Sequence, residues 1–191
     1  MPTGVHIRDA REQLFEAAER VLLRDGPSAL TSRSVTAEAG VAKGVLHRHF
    51  ADFDDFLAGL VHDRARRIDI DAIGLHTRAG TNPVAENLAD ALVTLFESVA
   101  TAIVALVIFR DELRARLRAS WPAGVPILAE AVNMIDGYLR AEQARGRVSG
   151  ELDVITTART VVGAAHLAFA DRTGATPTFA DVRRIVTNAL R

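Results

Sequence analysis

Apolar residues recur along this chain three and four positions apart, and no run alternates at every second position. Ile7, Ala10, Leu14, Ala18 and Val21 keep that spacing, with Phe15 and Leu22 widening the stripe and arginine and glutamate on the opposite face. A period near 3.6 residues marks a helix with one face on a core. Alanine, leucine and valine dominate, and only 5% of the 191 residues are aromatic, which favours helices over strands. The chain therefore reads as all-α, with about nine helices.

The punctuation places them. Gly26-Pro27 stops a first helix over residues 7–24. Thr31 or Ser32 caps a second that runs to Ala39, and Gly40 permits a tight turn. A third covers residues 42–49. Asp52 caps a fourth over 52–67, with Asp54 and Asp55 at its positive end. Residues 69–82 contain Gly74, Gly80 and Asn82-Pro83 and read as a linker. Pro83 opens a long helix carrying Leu88, Leu92, Leu95, Phe96, Val99 and Ile103. A short charged helix at 111–118 and three more at 126–145, 153–172 and 179–190 complete the chain.

Several chemistries lack their residues. The chain has no cysteine, so disulfides, thiolate nucleophiles and cysteine-bound metals are excluded, and a cytoplasmic location is compatible. The N-terminus has no signal-peptide core, and the apolar run 99–109 is too short to span a bilayer, so no membrane partner is expected. No P-loop, Gly-x-Ser-x-Gly, Gly-x-Gly-x-x-Gly or Glu-x-x-His occurs, so neither an enzyme nor a cofactor is expected. His47 and His49 lie two apart on a helix and point in different directions, which argues against a metal site.

Residues 31–50, TSRSVTAEAGVAKGVLHRHF, carry the functional signal. Two short helices joined by a glycine turn form a helix-turn-helix, whose second helix can enter a major groove. Val35, Ala39, Val41 and Leu46 would face inward. Thr31, Ser32 and Arg33 would start the second helix; Ala42, Lys43, Gly44, Val45, His47 and Arg48 would lie outward. The net charge is only −1, but this stretch holds Arg33, Lys43 and Arg48 against Glu38, and Lys43 is the sole lysine. Lys43 and Arg48 suit phosphates or guanine edges, and Val45 suits a thymine methyl.

The stretch resembles the tetracycline-repressor (TetR) family of bacterial transcription regulators. Leu30-Thr31, Ala37-Glu38-Ala39-Gly40-Val41, Lys43-Gly44, Leu46 and His49-Phe50 carry the likeness. It is close over about residues 8–65; beyond that, helix number and length are similar. The resemblance implies a helix-turn-helix domain over residues 1–51 and a ligand-binding and dimerisation domain over 52–191, with helix 4 as connector. It implies phosphate contacts from Thr31, Ser32 and Arg33, groove contacts from Ala42 to Val45, His47 and Arg48, and a partly structural role for His49 and Phe50. Members usually carry tyrosine where this chain has His47, and often lysine where it has Phe53. Histidine can still donate a hydrogen bond; phenylalanine cannot.

The implied partners are double-stranded operator DNA, a second copy of the chain and a small-molecule effector. Two copies of helix 3 about 34 Å apart would read a roughly palindromic operator. Phe96, Phe109, Trp121, Met134 and Tyr138 are candidates to line the effector pocket, and ordinary core packing is the alternative reading. Val154, Ala158, Val161, Ala165 and Ala168 form a stripe of small residues suited to a dimer interface, or to burial within the monomer. Two other functions remain: a regulator of the same fold controlled by a protein partner or by abundance, and a helical small-molecule binder that has lost DNA binding.

Overall fold

The computed structural model describes residues 10–171 and 174–191, and the regular structure there is entirely helical. The order is α1 (Ala10–Asp25), a 3-10 turn (Pro27–Ala29), α2 (Ser32–Glu38), α3 (Gly44–His49), α4 (Phe53–Thr77), α5 (Val84–Glu97), α6 (Ala100–Phe109), α7 (Asp111–Leu117), α8 (Leu128–Gln143), α9 (Val154–Ala170) and α10 (Phe179–Ala189). The expected start of the first helix at Ile7 and the end of the ninth at Arg172 lie outside the described residues. No single helix among those described is long and apolar enough to cross a membrane.

The N-terminal helices pack as a small group, α1 against α2 and α3, and α3 against α4. The C-terminal half is built on α8, which lies against α4 on one side and α9 on the other; α5 and α10 close the bundle. Helix α6 touches α1 and the 3-10 turn as well as α5, α7 and α9, so it joins the two halves.

Two elements differ from the sequence reading. The segment read as a linker is helical to Thr77, so α4 is 25 residues long. Its Leu75 is buried, and the chain turns only at Gly80, whose φ of 88° suits glycine. The long helix after Pro83 is two helices, α5 and α6, bent by 58°. Ser98 causes the break: its backbone is extended, its hydroxyl donates to the Leu95 carbonyl at 2.5 Å, and the same oxygen accepts from Ala100 N at 3.2 Å. Serine competes with the helix for its own backbone groups.

Candidate nucleic-acid interface and the cavities behind it

The reading head is held from inside. Val35 and Leu46 are fully buried, a gain of roughly 1.5–3 kcal/mol each over exposure. Phe15, Phe50 and Phe56 form a ring cluster with centroids 5.1–5.8 Å apart. A Cβ at Gly59 would lie 3.0 Å from Phe50 Cε1, so glycine there lets α4 lie on that cluster without a shift of the rings. Sequence reasoning missed Gly59, because a glycine in mid-helix gives no sign of what it faces.

Local hydrogen bonds set the two short helices. Thr31 caps α2: its Oγ1 accepts from Ser34 N at 3.1 Å, and Thr31 N donates to Ser34 Oγ at 2.9 Å. Gly40 turns at φ 66°, and Gln13 Nε2 donates to the Ala39 carbonyl at 2.9 Å from α1. What remains outside is the predicted face. Thr31, Arg33, Ala42, Lys43, Gly44, His47, Arg48 and His49 are exposed, and Ser32 and Val45 are half-buried. Phe50 is buried and closes α3 against α4, whereas His49 is exposed. A Cβ at Gly44 would meet no protein atom within 4 Å, so internal packing does not demand glycine there.

The charge balance of this face is more positive than the composition suggests. Glu38, its one acid, accepts from Arg20 Nε and Arg24 Nη1, both at 2.8 Å. Those two arginines of α1 hold its carboxyl below the usual range. Arg33, Lys43 and Arg48 are therefore not offset by Glu38. Phe53 is used for packing: its ring stacks on Phe56, and the Arg110 guanidinium lies 5.4 Å from its centroid while Arg110 Nε donates to Asp54 at 2.6 Å. Asp52 caps α4, accepting from Asp55 N at 2.8 Å, and ion-pairs with Arg116. The start of α4 is thus tied to the α6–α7 region.

The five candidate pocket residues do not share one cavity. Phe109 is 85% exposed and borders a cavity of ≈ 370 Å³ between α1, α6 and α9, with Leu22, Leu23, Val104, Ile108 and Phe169. Its polar groups include Ser98, Thr101 and His166; burial pushes the His166 ring down from its ordinary pKa. Met134 borders a different cavity, of ≈ 440 Å³, between α4, α5 and α8. Phe96 packs near His166 and Phe169. Trp121 donates from Nε1 to Glu130 at 2.5 Å and lies against His62. Tyr138 is buried, with its hydroxyl donating to Glu142 at 2.5 Å and accepting from Asn87 Nδ2 at 2.9 Å. Helical spacing had placed these side chains on apolar faces, but which faces meet is set by the crossings of distant helices.

The small-residue stripe of α9 is internal. Val154, Ala158, Val161 and Ala165 are at most 4% exposed within a single chain, and Ala168 is half-buried. Small residues do permit close helix approach; the helices that approach are the chain's own α5, α8 and α10. For four of those five residues the single chain thus favours the alternative reading, burial within the monomer, over a dimer face. The outward side of α9 carries Thr160, Gly163 and Leu167, the last 72% exposed.

A third cavity, of ≈ 330 Å³, lies where α1, α4 and the α5–α6 bend meet. Arg64, 6% exposed, borders it; its guanidinium ion-pairs with Glu19 of α1 through Nε and donates from Nη1 to Asp63 at 3.2 Å. Nothing in the sequence distinguished Arg64 from the exposed Arg66 and Arg67 beside it.

Among the described residues, an exposed, basic short helix on a buried three-phenylalanine base, in an all-helical setting, has the form of a DNA-binding helix-turn-helix. Residues 14–59 match the family described as bacterial regulatory proteins, tetR family. A TetR transcription regulator from Haloarcula marismortui superposes with a TM-score of 0.72 at 17% identity, covering 95% of this chain and 96% of that one. The fatty acid degradation regulator FadR from Bacillus halodurans gives 0.69 at 19% identity, covering 100% and 97%. FadR from Bacillus subtilis, solved with stearoyl-CoA, gives 0.63 at 20% identity, covering 94% and 97%. No curated protein sequence matches the chain. Residues 14–59 thus carry the signature of the tetR family of bacterial regulatory proteins, and the chain as a whole has the fold of solved TetR-family regulators.

Proposed function

We propose that this chain acts as a homodimeric repressor that reads a palindromic operator with α3 and leaves it when a small molecule binds at the junction of α1, α4 and α6. The observation that carries the reading is the outer face of α3. Lys43, Gly44, His47 and Arg48 are exposed around a fully buried Leu46, and the adjacent acid is held by Arg20 and Arg24. Thr31, Ser32 and Arg33 would set the register on phosphates, with Lys43, Val45, His47 and Arg48 in the groove. His49, being exposed, joins them.

Release follows from what the junction connects. Helix α6 touches α1, so a ligand that prefers one arrangement of α1 against α4 and α6 biases the position of α3 by its differential affinity. Stearoyl-CoA in the Bacillus subtilis FadR structure supports ligand response in this fold. Cavities of ≈ 370 and ≈ 330 Å³ here suit a smaller ligand. The outward sides of α9 and α10, with Leu167 and Phe179, are the proposed dimer face.

The test is selection of genomic fragments by the purified protein at fixed salt, repeated with Lys43→Ala and Arg48→Ala. A palindromic motif that weakens about tenfold or more in each variant is the expected outcome. Failure of a folded dimer to enrich any fragment overturns the reading.

A further inference from the structure

We propose that the cavity bordered by Arg64 binds the carboxylate head of a small amphipathic acid; this rests on the effector-responsive reading above and deepens it by naming the ligand's chemistry. Arg64 is a permanent cation buried between the two halves of the molecule. Nη1 donates to Asp63, while Nε lies in ion-pair contact with Glu19 but has no hydrogen-bond partner. Nη2 is likewise buried without a hydrogen-bond partner. A buried donor at a charged group costs free energy until an acceptor reaches it, and a planar guanidinium suits a carboxylate.

The rest of the cavity defines the rest of the ligand. Leu23, Ile68, Leu95, Val99 and Ile127 make an apolar wall. Thr94 and Ser98 offer hydroxyls, and Arg67 supplies a second cation near Arg64. The charged side chains at the cavity are Glu19, Asp71, Arg64 and Arg67, two of each sign. A purely apolar ligand would leave Nη2 unpaired, and a cation would be repelled by Arg64. A monocarboxylate supplies the missing acceptor and buries its body on the apolar wall. Burial already disfavours the charged form of Glu19, which lies beside Arg64. An arriving carboxylate therefore displaces an anion that is poorly solvated where it sits.

The position suits control. Glu19 and Leu23 belong to α1 and Arg64 to α4, while Ser98 and Val99 form the bend between α5 and α6. Leu23 and Ser98 also border the apolar cavity of ≈ 370 Å³, so the two spaces share walls. A head group on Arg64 competes with Glu19 for the contact that ties the reading head to the connector helix.

The experiment uses the full chain without DNA. Thermal stabilisation and calorimetry are measured with hexanoate, octanoate and decanoate, and with the alcohols of matched length. Saturable binding of an acid, about tenfold or more tighter than its alcohol, is expected. Arg64→Lys, which keeps the charge and loses the fork, should weaken it about tenfold; Leu95→Trp, which fills the cavity and leaves Arg64 in place, should abolish it. Circular dichroism and size measurements confirm that each variant is folded. If Arg64→Lys does not fold, the acid–alcohol ratio and Leu95→Trp decide. Equal binding of acid and alcohol, no saturable binding to the wild type, or binding that survives Leu95→Trp overturns the proposal. Operator affinity is measured separately: acid binding that leaves it unchanged supports the site and removes its role in release, whereas operator release by another molecule, without acid binding, removes the site alone.

Discussion

The molecule contains two buried polar clusters that use the same kinds of group and end differently. In the C-terminal half, Glu142 is fully buried; its Oε1 is hydrogen-bonded, and its Oε2, without a hydrogen-bond partner, faces Arg147. The carboxylate accepts from Tyr138 Oη and from Gly80 N at 3.2 Å, and pairs with Arg147 at 3.4 Å. Asn87 closes the group by donating to the Tyr138 hydroxyl. At the junction, Arg64 is almost as deeply buried but keeps two nitrogens, Nε and Nη2, without a hydrogen-bond partner, and its main counter-charge comes from the other half of the molecule. A cluster whose hydrogen bonds and counter-charge lie within one packing unit holds that unit together. A cluster left open across two units holds them less firmly and can be entered by something else.

The largest test of that contrast is Glu142→Ala. It should cost about 3 kcal/mol or more, because Arg147, Tyr138 Oη and Gly80 N lose their acceptor together. Urea denaturation measures it. The folded variant should keep wild-type operator affinity, since the cluster touches neither α1 nor α3; a stability loss under about 1 kcal/mol would remove the distinction drawn between the clusters. Next in size is Tyr138→Phe. It removes one hydroxyl from the same group and should cost about 1–1.5 kcal/mol by the same assay. The tyrosine is held protonated, its pKa pushed up to about 12 by burial and by the neighbouring Glu142, so this cost should not vary between pH 6 and pH 9, a range chosen about 3 units below that value.

At the junction the expected effect is smaller and of another kind. The double variant Glu19→Gln/Arg64→Met replaces an incompletely paired buried ion pair with a polar and an apolar side chain of similar volume. Its stability should fall within about 1 kcal/mol of wild type. Its operator affinity should nevertheless change, because the tie between α1 and α4 is altered. A loss comparable with that of Glu142→Ala, with unchanged operator affinity, would show that both clusters serve only to hold the fold.

How far the sequence spoke for itself follows the same division. The geometry of the helix-turn-helix was legible, because caps, a glycine turn and an inward Leu46 act over short spans and leave their marks side by side. The cluster around Glu142 was not. Tyr138 reads from sequence as a pocket candidate because Asn87, which donates to its hydroxyl, and Gly80, which donates to the Glu142 it bonds, lie far off in the chain and join it only once the helices have packed. The α9 stripe was legible as a close-packing surface, but its partner was not: Val154, Ala158, Val161 and Ala165 are equally suited to a second copy and to the chain's own helices. Ser98 left a faint mark, since one serine in an apolar run rarely ends a helix. Arg64 left none, because burial of one arginine among several depends on which face of α4 meets α1.

The smallest effect expected is the most specific, and it concerns Glu19 alone. Burial raises its pKa above the ordinary 4.5, against the opposing pull of Arg64 and Arg67. The folded chain therefore holds this proton more tightly than the unfolded chain does. Stability from this group is greatest at low pH and falls as pH rises from 4.5 through the raised value; above that the penalty is complete. Glu19→Gln removes the titration. Relative to wild type, the variant should gain stability as pH rises through that window, and the gain should level off near neutral pH. The carboxylates of Asp52, Asp153 and Asp181 are shifted the other way by their capping hydrogen bonds, so their windows lie below the ordinary 3.8 and do not overlap. Any contribution from His166 is common to both proteins and cancels in the difference. Urea midpoints for the two proteins at steps from pH 4.5 to pH 7.5, bracketing the ordinary value of 4.5, measure the effect. A difference that stays flat across those steps would mean that Glu19 is as well solvated and paired as an ordinary surface acid, and the junction would then be as closed as the cluster around Glu142.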